Sequence, residues 1–325
     1  MSVTERKERF TSTNGKTEVA YYVFEDQNVA PKAIIQLIHG MTEHIGRYEA
    51  FARYLCENGV VFCGCDLLGH GDSISEENPQ GYFSDEKMPD VLLDDQVKLI
   101  EIMRKKYRSL PYIIYGHSLG SFLARRFCAL HGELLDGAIF EGTAGSDLPV
   151  GLGKASASLI GAFHGKRRQS KTLQKATFMG YLKHCGKDEG KMAWLTRDKA
   201  SLENYENDPK CGFAFSAKAY HQMFSLISYI SSPEWYEAVP KCLPIFMISG
   251  DDDPVGSYGK GPKEVYELLK DAELSDVSLK LYPGMRHEPH SEIGREEVYA
   301  DVLAFACRVA DGVADARSYA NTIIQ

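Results

Sequence analysis

A serine stands at the centre of a G-x-S-x-G pentapeptide, GHSLG, at residues 116–120. The β-branched and aromatic run at 112–115 favours a buried strand, and apolar residues at helical spacing follow the pentapeptide. A serine in the turn between a strand and a helix is the context of a nucleophile elbow. The two glycines relieve the tight turn, and the new helix points its amides at a developing oxyanion. The pattern predicts that Ser118 is a catalytic nucleophile.

Two loops downstream of this serine carry the other side chains that a serine nucleophile needs. The hydroxyl requires a base, and the base requires an acid that orients it. Three aspartates follow the strand-like run at 243–249, and His287 follows the run at 278–282. In a parallel sheet, such residues gather at the carboxyl ends of the strands. The order Ser, Asp, His is found in α/β-hydrolases and differs from the orders of chymotrypsin and subtilisin.

Asp253 is the preferred acid among the aspartates at 251–253, because Pro254 stiffens the turn directly after it. In the alternative interpretation, Asp253 caps the turn or the next helix and one of the other two aspartates orients the base. His287 is the preferred base because it lies in the turn directly after a strand. His290 stands one proline further on, near the start of the last predicted helix.

Two backbone amides are needed to hold the oxyanion that forms when a serine attacks a carbonyl carbon. Leu119, the residue after the predicted nucleophile, supplies one of them. Met41 is positioned to supply the other, in the loop after the apolar strand at 33–38. Gly40 would let this backbone approach the substrate. A plain turn after a strand also explains Gly40, but it does not explain why this loop motif occurs together with the GHSLG elbow in one sequence.

Strand-like and helix-like segments alternate along most of the chain. The predicted strands are a hairpin at 10–24 around Asn14-Gly15, then 33–38, 60–66, 112–115, 134–140, 243–249 and 278–282. The predicted helices are 48–58, 91–107, 265–274 and 297–309. This alternation is typical of an α/β fold with a mostly parallel sheet flanked by helices. Residues 146–232 interrupt it with a helix-like stretch that contains no convincing strand.

Several motifs together resemble one superfamily. They are HGMTEHIGRY at 39–48, DLLGHGDS at 66–73, GHSLG at 116–120, GDDD at 250–253 and HE at 287–288. These motifs resemble the α/β-hydrolase superfamily and, more narrowly, the monoacylglycerol lipase and lysophospholipase-like group of serine hydrolases. The resemblance extends over about residues 10–309, apart from the interrupting stretch. It implies a catalytic triad of Ser118, Asp253 and His287. It also implies an oxyanion hole formed by the backbone amides of Met41 and Leu119.

The resemblance also implies an α/β-hydrolase fold with a helical cap inserted between the sixth and seventh strands. Residues 1–145 and 233–325 would then form the two parts of the core, and residues 146–232 would form the cap. Caps in this family determine substrate choice. No motif of the family is recognisable in the cap, so the substrate is predicted only as a class.

The predicted activity is the hydrolysis of carboxylic esters through an acyl-enzyme, without a metal or cofactor. The family's substrates suggest monoacylglycerols, lysophospholipids or other medium-chain acyl esters. A peptidase or thioesterase with the same triad is an alternative, and so is a non-catalytic ligand receptor on the same fold. A dehalogenase or epoxide hydrolase is not expected, because it would need a carboxylate at the position of Ser118.

Composition and charge limit the other classes of function. The net charge of −8 argues against a general nucleic-acid binder, and the sequence contains no phosphate-binding P-loop. The charged amino terminus lacks the apolar region of a secretory signal, and no apolar run approaches a membrane span. We therefore expect a cytoplasmic protein. The eight scattered cysteines are then expected to be reduced, and Cys63-x-Cys65 does not have a zinc spacing.

The predicted cap has a charge opposite to that of the whole chain. Between Val150 and Ala200, eleven basic residues face only three acidic ones. An apolar set lies beside them, formed by Leu148, Val150, Leu152, Leu159, Ile160 and Phe163. Such a cap could attract anionic substrates and make transient contact with a membrane or lipid aggregate. Alternatively, it could be a solvated helical face whose charges pair with the acidic body.

Overall fold

One eight-stranded sheet organises the part of the chain that the computed structural model describes. The described residues are 2–85, 90–146, 150–186 and 188–323, with the side chains of the last helix described up to residue 316. The strands are β1 (Val3–Thr11), β2 (Glu18–Asp26), β3 (Ala33–Ile38), β4 (Val60–Cys65), β5 (Tyr112–His117), β6 (Gly137–Glu141), β7 (Ile245–Gly250) and β8 (Val277–Tyr282). Their order is β1-β2-β4-β3-β5-β6-β7-β8. Only the β1–β2 and β2–β4 pairs are antiparallel, so the predicted mostly parallel sheet is confirmed.

Helices follow most of the parallel strands. They are α1 (Glu49–Glu57), α2 (Asp90–Lys106), α3 (Leu119–His131), α4 (Val150–His164), α5 (Lys171–Thr177), α6 (Lys199–Asn207), α7 (Ala217–Ile230), α8 (Pro233–Ala238), α9 (Lys260–Asp271) and α10 (Arg295–Ile323). Helices α4 to α8 lie between β6 and β7, which confirms the predicted helical insertion. None of the helices in the described ranges has both the length and the apolar character needed to cross a bilayer.

Both faces of the sheet are covered, and this explains the continuous apolar character of its central strands. Every residue of β3, β5 and β7 is buried, as expected when helices pack on both sides of parallel strands. On one face, Phe51 of α1 and Phe305 of α10 belong to one apolar cluster. On the other, Leu99 of α2, Leu123 of α3 and Leu269 of α9 belong to a second. The carboxyl ends of β3 and β5 are therefore held side by side.

The structure differs from the sequence predictions mainly at the ends of elements. The last helix continues to residue 323, well past the predicted end at 309. Residues 310–316 are mostly exposed, so burial periodicity no longer marks the helix there, although its alanines favour a helix. Helix α8 lies beyond the predicted cap boundary at 232 and packs against α3. The division of the chain into a core and a cap at residues 146–232 stays a proposal.

Arg125 of α3 joins the two ends of the insertion. Its side chain is buried, and Nη1 donates to the Ala144 carbonyl at 2.8 Å, just before the insertion. Its Nη2 donates to the Ile230 carbonyl, the last residue of α7, at 2.6 Å. The guanidinium carbon also lies 4.3 Å from the Trp235 ring centroid. Burial lowers the pKa of Arg125 to about 9, so the group still carries its charge at neutral pH.

We expect Arg125→Met to lower the free energy of unfolding by about 2–4 kcal/mol, because two buried carbonyls lose their donors. Urea denaturation followed by tryptophan fluorescence measures this change. The matched control is Arg308→Met, since Arg308 is half exposed and pairs with Asp276 on the surface. The control should change the free energy by less than about 0.5 kcal/mol. An Arg125→Met protein as stable as the control would contradict this role.

Candidate active site

Ser118 occupies a strained turn between β5 and α3, with φ 53° and ψ −119°. Such a backbone costs a non-glycine residue about 1–3 kcal/mol, so the surrounding packing must impose it. A Cβ at Gly120 would lie 1.9 Å from the Ile38 carbonyl oxygen, and one at Gly116 would lie 2.3 Å from the Gly120 oxygen. The two glycines therefore let α3 begin directly against the ends of β3 and β5.

Asp253 and His287 lie together on the loops after β7 and β8. Both side chains are buried, and Nδ1 of His287 is 3.0 Å from Oδ1 of Asp253. The same carboxylate accepts a hydrogen bond from the Val255 amide at 2.8 Å, and Ser249 Oγ lies 3.4 Å from its other oxygen. Nε2 of His287 has no hydrogen-bond partner in the described part of the chain. With a proton on Nδ1, Nε2 is free to accept one from the cavity that His287 and Ser118 both line.

The competing aspartates and the competing histidine have other partners. Asp251 accepts a hydrogen bond from a backbone amide at 2.6 Å. Asp252 lies 2.8 Å from Nδ1 of His184 in the insertion. Nδ1 of His290 lies 2.9 Å from Glu141, and His290 is not among the residues that line the cavity with Ser118. Geometry therefore favours Asp253 and His287 for the roles that the sequence suggested.

The loop after β3 lies directly against the nucleophile elbow. A Cβ at Gly40 would lie 3.2 Å from Cβ of Ser118 and 2.6 Å from Oε1 of Glu43, so a side chain here would force its neighbours to shift. Next to it, Met41 lines the same cavity as Leu119. Neither of these two backbone amides donates to an acceptor among the described residues. The two residues predicted to form the oxyanion hole thus line one cavity, and neither amide is occupied by an acceptor among the described residues.

Two buried neutral histidines brace this loop. His39 donates from Nδ1 to the Gly40 carbonyl at 2.9 Å and accepts at Nε2 from the Leu67 amide at 2.9 Å. His70 accepts from the Thr42 amide at 3.3 Å. Burial lowers the pKa of each ring to about 3, so both stay uncharged at neutral pH. Their ring nitrogens therefore act as one donor and one acceptor each, which fixes the backbone on both sides of Met41.

An ionic network connects the same loop to the turn that carries His287. Arg47 donates to both oxygens of Glu288, at 2.8 and 2.7 Å, and also binds Glu43. Glu43 in turn accepts from the Gly40 amide. Burial alone would lower the pKa of Arg47, but the charges of Glu288 and Glu43 raise it above its ordinary value. The group is therefore a permanent cation that links the loop after β3 to the residue after His287.

The cavity has a volume of about 300 Å³ and is mostly apolar. Ser118 and His287 line it, and the insertion contributes Phe178, Trp194 and Met223. The Trp194 ring centroid lies 5.1 Å from that of His287. Because the insertion forms most of the apolar wall, its residues determine the shape of the cavity.

Two groups of residues contain potential metal ligands within 4.8 Å of one another, His44 with Asp208 and Cys211, and His117 with Glu141 and His290. In the first group, Nδ1 of His44 accepts from a backbone amide at 3.2 Å, which places the ring proton on Nε2, facing Asp208 at 2.8 Å. A metal would need that nitrogen deprotonated. In the second group, Glu141 already binds His290. Hydrogen bonds and ionic contacts therefore explain both groups.

Comparison with known proteins identifies the family. The Hydrolase_4 family model, described as "Serine aminopeptidase, S33", matches residues 29–294. The chain belongs to the Hydrolase_4 family. Human monoglyceride lipase is 27% identical over 266 residues, which cover 81% of this chain and 78% of that protein.

Solved structures of other proteins share the fold of this Hydrolase_4 chain. A thermostable carboxyl esterase from Bacillus coagulans superposes with a TM-score of 0.86 at 28% identity, covering 94% of this chain and 99% of that one. A soluble variant of Saccharomyces cerevisiae monoglyceride lipase gives a TM-score of 0.73 at 20% identity, covering 94% of both chains. The predicted α/β-hydrolase fold is confirmed. The chain is a serine hydrolase of the esterase and lipase kind.

Sequence reasoning missed part of the site. The predicted strand at 134–140 stops just before Glu141, and no role is predicted for this residue, although an acid at the end of an apolar strand is a usable signal. The contact between the Trp194 and His287 rings had no detectable signal, because it depends on how the insertion folds back over the core. The bidentate contact between Arg47 and Glu288 spans most of the chain and is also invisible to local patterns.

We expect Asp253→Asn to lower kcat by several orders of magnitude, because an amide in place of the carboxylate favours the wrong imidazole tautomer of His287. Steady-state hydrolysis of a p-nitrophenyl ester measures the loss. Asp251→Asn and Asp252→Asn are matched controls, since their carboxylates have other partners, and each should keep most of the activity. If Asp251→Asn or Asp252→Asn were the inactive variant and Asp253→Asn nearly normal, the acid would be misidentified.

Proposed function

We propose that this protein hydrolyses monoacylglycerols, lysophospholipids or similar acyl esters through an acyl-enzyme on Ser118. The observation that carries the proposal is the largely apolar cavity of about 300 Å³ that Ser118 and His287 line. An apolar cavity suits an acyl chain, whereas a polar substrate would leave its hydrogen bonds unmatched there. The relatives named monoglyceride lipase and carboxyl esterase support the same class of substrate.

In the proposed acylation step, Oγ of Ser118 attacks the ester carbonyl carbon while Nε2 of His287 takes the hydroxyl proton. The oxyanion of the tetrahedral intermediate accepts hydrogen bonds from the amides of Met41 and Leu119. Asp253 holds Nδ1–H and stabilises the imidazolium, 3.0 Å away. When the intermediate collapses, the bond to the alcohol oxygen breaks and the imidazolium gives its proton to the leaving alcohol.

Deacylation repeats the same proton movements with water. His287 takes a proton from the water molecule, whose oxygen attacks the acyl-enzyme carbonyl. When the second tetrahedral intermediate collapses, the bond from its carbon to Oγ breaks, the imidazolium of His287 gives its proton to Oγ of Ser118, and the fatty acid is released. The two loops after β7 and β8 keep the base in place through both steps, since its acid partner is buried and tied to the backbone at Val255.

A peptidase is the alternative that the family description itself suggests. An aminopeptidase would need an uncompensated acid to hold the α-ammonium group of its substrate. Glu43 and Glu288 line the cavity, but both are bound to Arg47. This pairing favours an ester over an amino-terminal peptide. A thioesterase shares every catalytic requirement, so only an acyl-donor panel separates it from the proposal.

We expect a fluorophosphonate probe to label Ser118, and Ser118→Ala to lose roughly 10⁴-fold or more in turnover while keeping its fold. Intact-mass and peptide mass spectrometry locate the adduct, and circular dichroism checks the fold. A p-nitrophenyl ester chain-length series, run beside aminoacyl p-nitroanilides and acyl thioesters, tests the substrate class. An adduct on another serine, or faster turnover of the anilides, would refute the proposal. An unlabelled protein without turnover would support the non-catalytic receptor.

The insertion also suggests how a lipid substrate reaches the cavity. Large apolar side chains are exposed there, and two of them, Leu152 at 73% and Met179 at 81%, also line the cavity. Leu159 and Phe163 extend this exposed surface. We propose that the surface touches lipid aggregates transiently. Of the residues named from the sequence, Leu148 lies outside the described residues. The expected cytoplasmic location stays a prediction.

The basic residues of the insertion divide into two groups. Arg167 forms ion pairs with Asp85 and Glu77, which fits a face that pairs with the acidic body. Lys175 and Lys183 are exposed, and neither has an ion pair among the described residues. Lys187 lies outside the described residues. Lys175 belongs to α5, whose neighbouring side chains line the cavity, so these unpaired lysines are the candidates for steering.

We expect Lys175→Gln with Lys183→Gln to lower kcat/KM for an anionic lysophospholipid by about three- to tenfold at low ionic strength. A monoacylglycerol of equal chain length should be unaffected. At physiological ionic strength, where the Debye length is about 8 Å, the difference should shrink. Lys105→Gln with Lys270→Gln, on α2 and α9, is the matched control. If kcat/KM changed equally for both esters in the Lys175→Gln, Lys183→Gln variant, these two lysines would serve only to keep the surface solvated.

A further inference from the structure

Glu141 is a buried carboxylate that the proposed mechanism does not use. It ends β6, the strand between β5 and β7 in the sheet, and its side chain is fully buried. Oε1 accepts from the His290 amide at 3.0 Å, and Oε2 lies 2.9 Å from Nδ1 of His290. Nδ1 of His117 lies 3.1 Å from Oε2, as an ionic contact without hydrogen-bond geometry. One carboxylate thus contacts two histidines, one at the end of β5 and one in the turn after β8.

These two histidines flank the reacting groups. His117 directly precedes Ser118, and His290 lies three residues after His287 in the same turn. The His117 ring centroid is 5.0 Å from that of His287 and 5.1 Å from that of His290. A contact to Glu141 therefore reaches both the nucleophile elbow and the turn that carries the base.

The backbone after Glu141 touches the base as well. A Cβ at Gly142 would lie 3.0 Å from Cε1 of His287, so the chain passes directly beside the imidazole ring. Any shift at the end of β6 would displace this ring. The backbone at the end of β6 thus contacts the imidazole ring of His287. The Glu141 side chain in addition binds the turn that carries His287, through the His290 amide.

The negative charge of Glu141 and the positive charge of His290 stabilise each other. Burial alone would raise the pKa of Glu141, but the charges of His290 and His117 hold it below its ordinary value. Burial alone would lower the pKa of His290, but the charge of Glu141 raises it above its ordinary value. A buried carboxylate that is kept ionised by two histidines forms a stiffer link than a neutral hydrogen bond. Other ionisable groups close to this cluster include Tyr48, Tyr115, Tyr282, Tyr299, Glu43, Arg47 and Glu288.

We propose that Glu141 is a positioning residue for the reaction, holding the nucleophile elbow through His117 and the base-carrying turn through His290. This inference rests on the proposed function, since it concerns the distance between Ser118 and His287 during proton transfer. The reacting atoms of such a pair must be placed within a fraction of an ångström, and a displacement of about 1 Å costs roughly 10²-fold in rate. Glu141 supplies this placement without touching the substrate, since it does not line the cavity.

A carboxylate is required because of the number of acceptors. Glu141 presents two acceptor oxygens to the His290 amide and to two ring nitrogens. A glutamine would present one oxygen and one NH₂ group. An oxygen at the Oε1 position could still accept from the amide and Nδ1 of His290, both 3.0 Å away, but the contact of Oε2 with Nδ1 of His117 and the negative charge would be lost. Glu141→Gln therefore removes part of the link while keeping the size of the side chain.

The test measures kcat, KM and the rate of fluorophosphonate labelling for Glu141→Gln, in the wild-type and Asp253→Asn backgrounds. In the wild-type background we expect kcat and the labelling rate to fall about tenfold or more, with KM within about twofold. In the Asp253→Asn background the base is already misoriented, so the same change should cost less than about threefold. Equal factors in both backgrounds, or a kcat within about twofold of wild type, would overturn the proposal.

A buried acid outside the site controls for lost stability. Glu25→Gln removes a carboxylate bound to Lys106 and Tyr107, and it should lower the melting temperature while leaving kcat unchanged. If Glu141→Gln does not fold, the His290 side of the contact is tested. His290→Asn keeps a nitrogen donor near the position of Nδ1 and should retain activity within about threefold, whereas His290→Leu should lose about tenfold. Equal loss in these two variants would overturn the proposal.

The outcome also separates this inference from the proposed function. A wild-type protein that neither reacts with the fluorophosphonate nor hydrolyses esters would refute the proposed function. A reactive wild-type protein whose Glu141→Gln variant reacts at the same rate would refute the positioning role alone. The labelling rate reports the reactivity of Ser118 without requiring the natural substrate.

Discussion

The close contact between Gly120 and the end of β3 is the constraint on which the rest of the site depends. A side chain at this position would meet the Ile38 oxygen at 1.9 Å, so α3 can start where it does only with glycine there. The contact forces Ser118 into its left-handed turn and places the Leu119 amide at the start of the helix. It also brings the loop with Gly40 and Met41 against the serine, because that loop leaves the same end of β3.

Buried ionic contacts then hold the remaining loops to this fixed point. Each loop leaves the carboxyl end of a different parallel strand, and only a few backbone hydrogen bonds among the described residues continue past the strand ends, such as that from the Ser118 amide to the Glu141 carbonyl at 2.9 Å. Arg47 links the loop after β3 to the turn after β8, and Glu141 links β6 to the same turn. Removing one partner of a buried pair leaves an uncompensated charge, which commonly costs about 3–5 kcal/mol. The side chains next to the nucleophile are therefore held by interactions that are expensive to break.

The strands and the order of the proposed reacting residues could be predicted from the sequence, because short local patterns indicate both. Apolar runs such as 33–38 need cover on both faces, and GHSLG needs a strand before it and a helix after it. The choice of Asp253 over its neighbours was also local, since it depended on Pro254. The contacts of Arg47 with Glu288 and of Glu141 with His290 could not be predicted, because each joins residues more than a hundred positions apart and depends on strand order. The end of α10 was missed because its last turns are exposed and carry no burial pattern.

The insertion binds the turn that carries His287 through its main chain. The groups that hold this turn in place are therefore different from the side chains that shape the cavity. The backbone amides of His287 and Glu288 donate to the carbonyls of Trp194 and Leu195, at 3.4 and 2.8 Å. Such contacts do not depend on which side chains the insertion carries, and Arg125 likewise holds its two ends through carbonyl oxygens. Side chains of the insertion that touch only the apolar wall can therefore change without breaking these contacts, whereas the Trp194 ring, 5.1 Å from that of His287, also touches the proposed base. An insertion built in this way can change the shape of the cavity while the main chain around His287 stays in place.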